Sequence, residues 1–128
     1  MQKFVTYDCL QKLEYINTVI MECLRFNPPS QNTTEQWYSK DVKLGHLEIK
    51  ARDAVAVSIN ALHFNKNEWQ RPYEFLPERF DPSSELYLTP GGKKRNPFSW
   101  VPFAGGKRIC FGKTFAEMNL KVVAVYLS

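Results

Sequence analysis

VPFAGGKRICFG, residues 101–112, is a glycine-punctuated turn holding one cysteine, with an apolar, helix-periodic segment directly behind it. Gly105 and Gly106 precede Cys110 and Gly112 follows it. Glycine tolerates positive φ and lets a backbone lie close against a flat ligand. The spacing predicts a helix from about Lys113, with Phe115, Met118, Val122 and Val125 on one face. Cys110 is therefore expected near a helix N-terminus, where free N–H groups and the helix dipole favour negative charge on sulfur. An anionic sulfur in such a turn can bind a metal from one axial direction, its electron donation tuned by backbone N–H groups. Two other readings compete. An isolated cysteine is more often buried and inert. A nucleophilic cysteine needs a base within hydrogen-bond reach, and the only two histidines, His46 and His63, lie far off in sequence.

Working outward, residues 8–27 carry Leu10, Leu13, Ile16, Ile20 and Leu24 at helical spacing, and Pro28-Pro29 stops that helix. Residues 30–41 are polar and are expected to be irregular. Val42 and Leu44, then Leu47 and Ile49, alternate on either side of Gly45-His46, the pattern of a short hairpin. Val55, Val57 and Ile59 alternate again and suggest another strand, with a weak helical signal over 60–64. Residues 65–82 have no period, and Pro72, Pro77 and Pro82 punctuate a coil expected to be held by Trp69, Tyr73, Phe75 and Phe80. Residues 83–97 read as loop. So much irregular backbone leaves many polar groups to satisfy, which points to a portion of a larger fold.

Composition narrows the classes. A hydrophobic share of 44% is that of a globular chain. No stretch reaches the roughly 20 apolar residues of a membrane span, and the first residues lack the apolar run of a signal peptide. Three cysteines without a CxxC pair fit neither a closed disulfide framework nor a zinc site. The net charge of +4 is unevenly spread: from Leu86 to Ala116 there are six basic residues (Lys93, Lys94, Arg95, Lys107, Arg108, Lys113) and no acidic one.

Phe103, Gly106, Arg108, Cys110 and Gly112 match the haem-binding signature FxxGxRxCxG of the cytochrome P450 family at every defined position, and Ala116 falls where the extended signature has alanine. Upstream, Glu22 and Arg25 match the ExxR of the family's K helix, and Arg79 in Pro77-Glu-Arg-Phe80 matches the arginine that joins them. The chain thus resembles the eukaryotic microsomal members over most of its length. The fold class that this implies is α+β, mainly α: the C-terminal part of the P450 fold, with K helix, short β-hairpins, meander coil, cysteine-ligand loop and the start of the L helix. Residues 1–128 are expected to form the C-terminal portion of a single domain, without the N-terminal part and the central oxygen-activating helix.

The resemblance implies haem b (iron protoporphyrin IX) as cofactor, with Cys110 as the axial ligand of the iron. Phe103, Gly105, Gly106, Arg108, Gly112 and Ala116 complete the cofactor site, Arg108 pairing with a propionate and Phe103 shielding the sulfur. Glu22, Arg25 and Arg79 are structural, pinning the coil beneath the haem loop by bidentate guanidinium–carboxylate pairing. No catalytic residue beyond the haem ligand is expected. The segment Ser30 to Gln36 should approach the substrate pocket. Where many members carry a second propionate-binding arginine, this chain has Gln31-Asn-Thr-Thr34, so a hydroxyl or amide would substitute.

The activity implied is monooxygenation of a lipophilic small-molecule substrate with O2 and electrons from NADPH-cytochrome P450 reductase, docked at Lys107 and Lys113. No nucleic-acid partner is implied. The alternatives are a haem-thiolate isomerase or dehydratase of the same fold, and a truncated, catalytically inert product. The full-length parent is expected at the endoplasmic reticulum membrane, on its cytosolic face, with no anchor in this chain. The 128 residues alone are expected to be inactive and to hold haem poorly.

Overall fold

A computed structural model describes residues 13–127. Helix α1 spans Glu14–Phe26. Leu13 has non-helical φ and ψ, and residues 8–12 of the expected helix lie outside the described residues. Asn27 closes α1 by donating its N–H to the Cys23 carbonyl at 2.9 Å, and Pro28-Pro29 cannot extend it.

Strands β2 (Val42–Leu44) and β3 (Leu47–Ile49) form the expected antiparallel hairpin, in register Val42 to Ile49, turning at Gly45 with φ +58°. Residues 30–41 are more ordered than their polarity implied. Within them β1 (Gln36–Trp37) pairs antiparallel with β4 (Ala54–Val55), and Asn32 bridges to Ser58. The strand expected through Val55, Val57 and Ile59 needs correction, because β4 ends at Val55. Val57 then bonds to Thr33 through mixed groups: its carbonyl accepts the Thr33 N–H and its own N–H donates to Thr33 Oγ1, each at 2.9 Å. Ile59 opens a short helix, α2 (Ile59–His63), because the Ser58 hydroxyl accepts from the Ala61 N–H at 3.3 Å. Alternation of β-branched residues could not reveal that serine's capping role.

Arg52, in the turn from β3 to β4, takes φ +73°, a region that favours glycine. The turn is fixed by Ala51 N–H to Asp41 Oδ1 and Lys50 N–H to Asp53 Oδ2, both 2.8 Å. Three 3-10 turns, Pro77–Phe80, Glu85–Tyr87 and Pro97–Ser99, organise the coil that follows. Aromatic contacts hold it as expected: Trp69 with Phe80 (5.7 Å), Phe80 with Trp100 (5.5 Å), Phe26 with Phe75 (6.0 Å) and Phe64 with Tyr73 (5.6 Å).

Helix α3 (Lys113–Leu127) closes the chain and packs against α1. Met118, Val122 and Val125 are half-buried on it, whereas Phe115 is 76% exposed and is not part of that covered face. Helical period gives the direction of a face but not how far along the axis a neighbour covers it. The core is unusual in being polar. Leu24, Ile49, Ile59 and Trp69 are the buried hydrophobic residues among those described, while the largest fully buried side chains are Trp69, Arg25, Arg79, His63 and Glu22.

Candidate functional site

The cysteine turn is closed by its own backbone. The Cys110 N–H donates to the Phe103 carbonyl at 2.8 Å, so these two signature residues are bonded directly. Between them, Gly106–Arg108 form a 3-10 turn, which begins with Gly106 at φ +66°. This is why the signature needs glycine at that position: a Cβ would meet no atom within 4 Å, but the backbone angle would be strained. Ala104 also takes positive φ (+58°), its N–H bonded to the Val101 carbonyl at 3.0 Å, so the loop holds backbone strain where a ligand would approach. A Cβ on Gly112 would stand 4.0 Å from Cys110 Sγ, leaving any larger side chain there beside the sulfur. Cys110 is exposed, and its carbonyl accepts the Lys113 N–H at 3.3 Å as α3 begins. Ala116 is half-buried in the first turn of α3, bonded to the Gly112 carbonyl at 2.9 Å.

A cleft of about 680 Å³ runs beside this loop, within the roughly 300–1,000 Å³ range of small-molecule and cofactor sites. Gly105, Gly106 and Arg108 line it together with Phe98, Val101 and Ala104. Leu62, Val57 and, from the segment after α1, Thr33, Thr34 and Gln36 complete the lining. The donor set fits haem: flat glycine backbone and apolar side chains for a macrocycle, one arginine for a propionate, and hydroxyl and amide groups where a second arginine is lacking. Three residues of the segment Ser30 to Gln36 thus reach the cleft. Phe103 (half-buried), Cys110 and Gly112 belong to the loop and Ala116 to α3, and none of them is part of the cleft's lining. Among the described residues no three His, Cys, Asp or Glu side chains gather into a metal-holding group.

The polar core lies where α1 meets the Pro77–Phe80 turn. Arg25 Nε donates to Glu22 Oε2 at 2.7 Å and its Nη2 to Glu22 Oε1 at 2.8 Å, a bidentate fork. Glu22 Oε1 also accepts from Arg79 Nε at 3.1 Å and from the Leu76 N–H at 2.8 Å. All three side chains are 0% exposed. Further guanidinium donors go to main-chain carbonyls: Arg25 to His63, Pro72 and Glu74, and Arg79 to Gln70, Arg71 and Glu74. Burial pulls Arg79 below its ordinary value, with the Glu22 carboxylate pushing it back up. The sequence-matched residues Glu22, Arg25 and Arg79 therefore come together, and they tie α1 to residues 70–79.

Two buried or half-buried residues of this region carry no local sequence signal of their burial. Arg95 is one of the six basic residues between Leu86 and Ala116. It is half-buried with its guanidinium 4.4 Å over the Trp69 ring and 5.4 Å from Tyr87, donating to the carbonyls of Leu86 (2.9 Å) and Arg79. Its neighbours Lys93 and Lys94 carry the same local sequence signal yet are exposed, so no local pattern separates them. The second is His63, 0% exposed, bonded to Arg25 and to Val101. Its distance from Cys110 in sequence concealed it. Of the lysines in the basic run near the cysteine, Lys107 is exposed, while Lys113 Nζ stands 3.9 Å from Glu117 Oε1 one helical turn on.

The sequence profile of the cytochrome P450 family matches residues 1–127. Cytochrome P450 3A2 of Rattus norvegicus is 35% identical over 117 residues, covering 91% of this chain and 22% of the rat protein. Cytochrome P450 3A28 of Bos taurus is 36% identical over 120 residues, 94% of this chain and 22% of its own length. Cytochrome P450 3A19 of Capra hircus aegagrus is 36% identical over 120 residues, 94% of this chain and 51% of its length. The chain thus spans about a fifth to a half of these relatives.

Proposed function

The chain belongs to the cytochrome P450 family, and from that premise we propose that it is the cysteine-bearing, C-terminal segment of a haem-thiolate monooxygenase acting on a lipophilic small molecule. The observation that supports this most is the closed loop itself: Cys110 bonded back to Phe103, with Arg108 and the glycine backbone facing an apolar cleft. Cys110 would hold the iron of haem b, Arg108 would pair with a propionate, and Thr33, Thr34 or Gln36 would take the second one. Phe103 would keep water from the sulfur. Gly105, Gly106 and Gly112 keep side chains out of the way, and Ala116 seats the helix behind the ligand. When bound, such a thiolate-ligated haem supplies dioxygen chemistry, the sulfur's electron donation favouring O–O cleavage. Glu22, Arg25 and Arg79 touch no reacting atom; they hold the coil on which the loop rests.

Lys107 and Lys113 would receive an acidic face of NADPH-cytochrome P450 reductase, at a position beside the cysteine loop. Reduction in the full-length protein should slow as ionic strength rises through the range where the Debye length falls to about 8 Å. The full-length protein would act at the endoplasmic reticulum membrane, on its cytosolic face. No helix among the described residues is long and apolar enough to cross a membrane. Turnover under isotopically labelled O2 tests the activity: one labelled oxygen atom in the product, dependent on reductase, is expected. Product formed without O2 or reductase would overturn it in favour of isomerisation or dehydration.

A further inference from the structure

We propose that His63 is a positioning residue for the cysteine loop, coupling the buried Arg25 to the backbone on which Cys110 is presented. The imidazole is 0% exposed and uses both ring nitrogens on main chain. Its Nε2 accepts the Val101 N–H at 2.9 Å. A backbone N–H can only donate, so Nε2 carries a lone pair and the single ring hydrogen sits on Nδ1. Nδ1–H then donates to the Arg25 carbonyl, 3.1 Å away. Arg25 answers through its side chain, Nη1–H donating to the His63 carbonyl at 2.9 Å. Histidine and arginine are thus bonded twice in opposite senses, and the tautomer is fixed by its partners.

What the imidazole grips is the first residue of the loop. Val101 lines the cleft beside Ala104, Gly105, Gly106 and Arg108, and its carbonyl accepts the Ala104 N–H at 3.0 Å, at the strained residue. Two further bonds brace the approach to it: Asn96 N–H to Glu68 Oε2 at 2.8 Å and Trp100 Nε1–H to the Met21 carbonyl at 3.3 Å. Of these three, only the His63 bond holds the loop's own backbone. The path is continuous, from Glu22 and Arg25 through His63 to Val101 and so to the turn that ends at Cys110. The buried ionic cluster therefore sets the position of the loop as well as the stability of the coil.

This inference rests on the assignment of Cys110 as the iron ligand, and the test separates the two. In the haem-loaded full-length protein, amide hydrogen exchange is followed over residues 101–110 and over 14–26, alongside the fraction of the ferrous carbon monoxide complex showing the red-shifted Soret band of thiolate ligation. In the unmutated protein the Val101 amide should be the slowest-exchanging in the loop; exchange as fast as at exposed Lys107 would overturn the proposal without any variant. His63→Asn places an amide nitrogen toward the Arg25 carbonyl but nothing at Nε2. It should speed exchange in 101–110 about tenfold, as loss of one buried hydrogen bond predicts, leave 14–26 unchanged, and lower the thiolate-ligated fraction. His63→Gln, whose amide oxygen reaches the Nε2 position, should restore loop protection. Equal acceleration in both segments would make His63 an ordinary core residue, and an unchanged loop would remove it from the account. Cys110→Ser retaining the thiolate band would refute the ligand assignment instead, with the exchange result for His63 standing by itself.

Discussion

Glu22→Gln is the substitution that bears hardest on the polar core. The carboxylate accepts four hydrogen bonds, two from Arg25, one from Arg79 and one from the Leu76 N–H, with all three charged side chains fully buried. Glutamine keeps the shape and one acceptor oxygen, so no cavity opens. It removes the single anion facing two guanidinium groups and turns an amide NH2 group toward an arginine donor. Breaking a buried ion pair by removing one partner costs about 3–5 kcal/mol, against a total stability of roughly 5–15 kcal/mol for a domain. Urea unfolding followed by tryptophan fluorescence reads the loss directly, because Trp69 is buried with the Arg25 guanidinium 5.3 Å over its ring. Glu78→Gln is the control: an exposed carboxylate adjacent in sequence to Arg79, expected to change stability by less than about 0.5 kcal/mol. A Glu22→Gln loss under about 1 kcal/mol would refute the view that this carboxylate anchors α1 to the coil.

Three further outcomes are expected. Burial, with the Arg25 charge beside it, holds His63 down from 6.5 to about 4, so the folded state keeps it neutral. The charged groups facing it are Arg25 and, through Arg25, Glu22 and Arg79. Above pH 6.5 the ring is neutral folded and unfolded and contributes no pH dependence; as pH falls toward 4 only the unfolded chain takes the proton, and roughly 3 kcal/mol of stability is lost. Denaturation midpoints measured between pH 7 and pH 4 should show that slope, and His63→Gln should remove it. Arg52→Gly relieves a positive-φ side chain in an exposed turn and should raise stability by about 1 kcal/mol in thermal melts. Arg95→Lys keeps the charge but not the fork that spans the Leu86 and Arg79 carbonyls or the stack on Trp69, and should cost about 1–2 kcal/mol by urea unfolding.

The elements that were legible in the sequence are those whose information is local. The hairpin announced itself by alternation around Gly45, α1 by its period and its terminal prolines, and the cysteine loop by glycines at fixed spacing. Val57 and Ile59 misled because a serine cap and a threonine side chain, rather than β-propensity, decide the backbone there. Strand β1 and its pairing with β4 were missed because a strand of two residues carries no period. Glu22, Arg25 and Arg79 were found through the family resemblance alone; an i,i+3 Glu–Arg pair looks the same whether buried or solvated. His63 and Arg95 were not found, since each owes its role to partners tens of residues distant or to a ring stack that no spacing encodes.

The central claim is that Cys110 is the sulfur that holds the iron. The most direct measurement is the absorption spectrum of the reduced, carbon monoxide-bound, haem-loaded protein, with and without Cys110→Ser. A red-shifted Soret band in the unmutated protein that is absent from Cys110→Ser is the predicted result; the same band in both would contradict it.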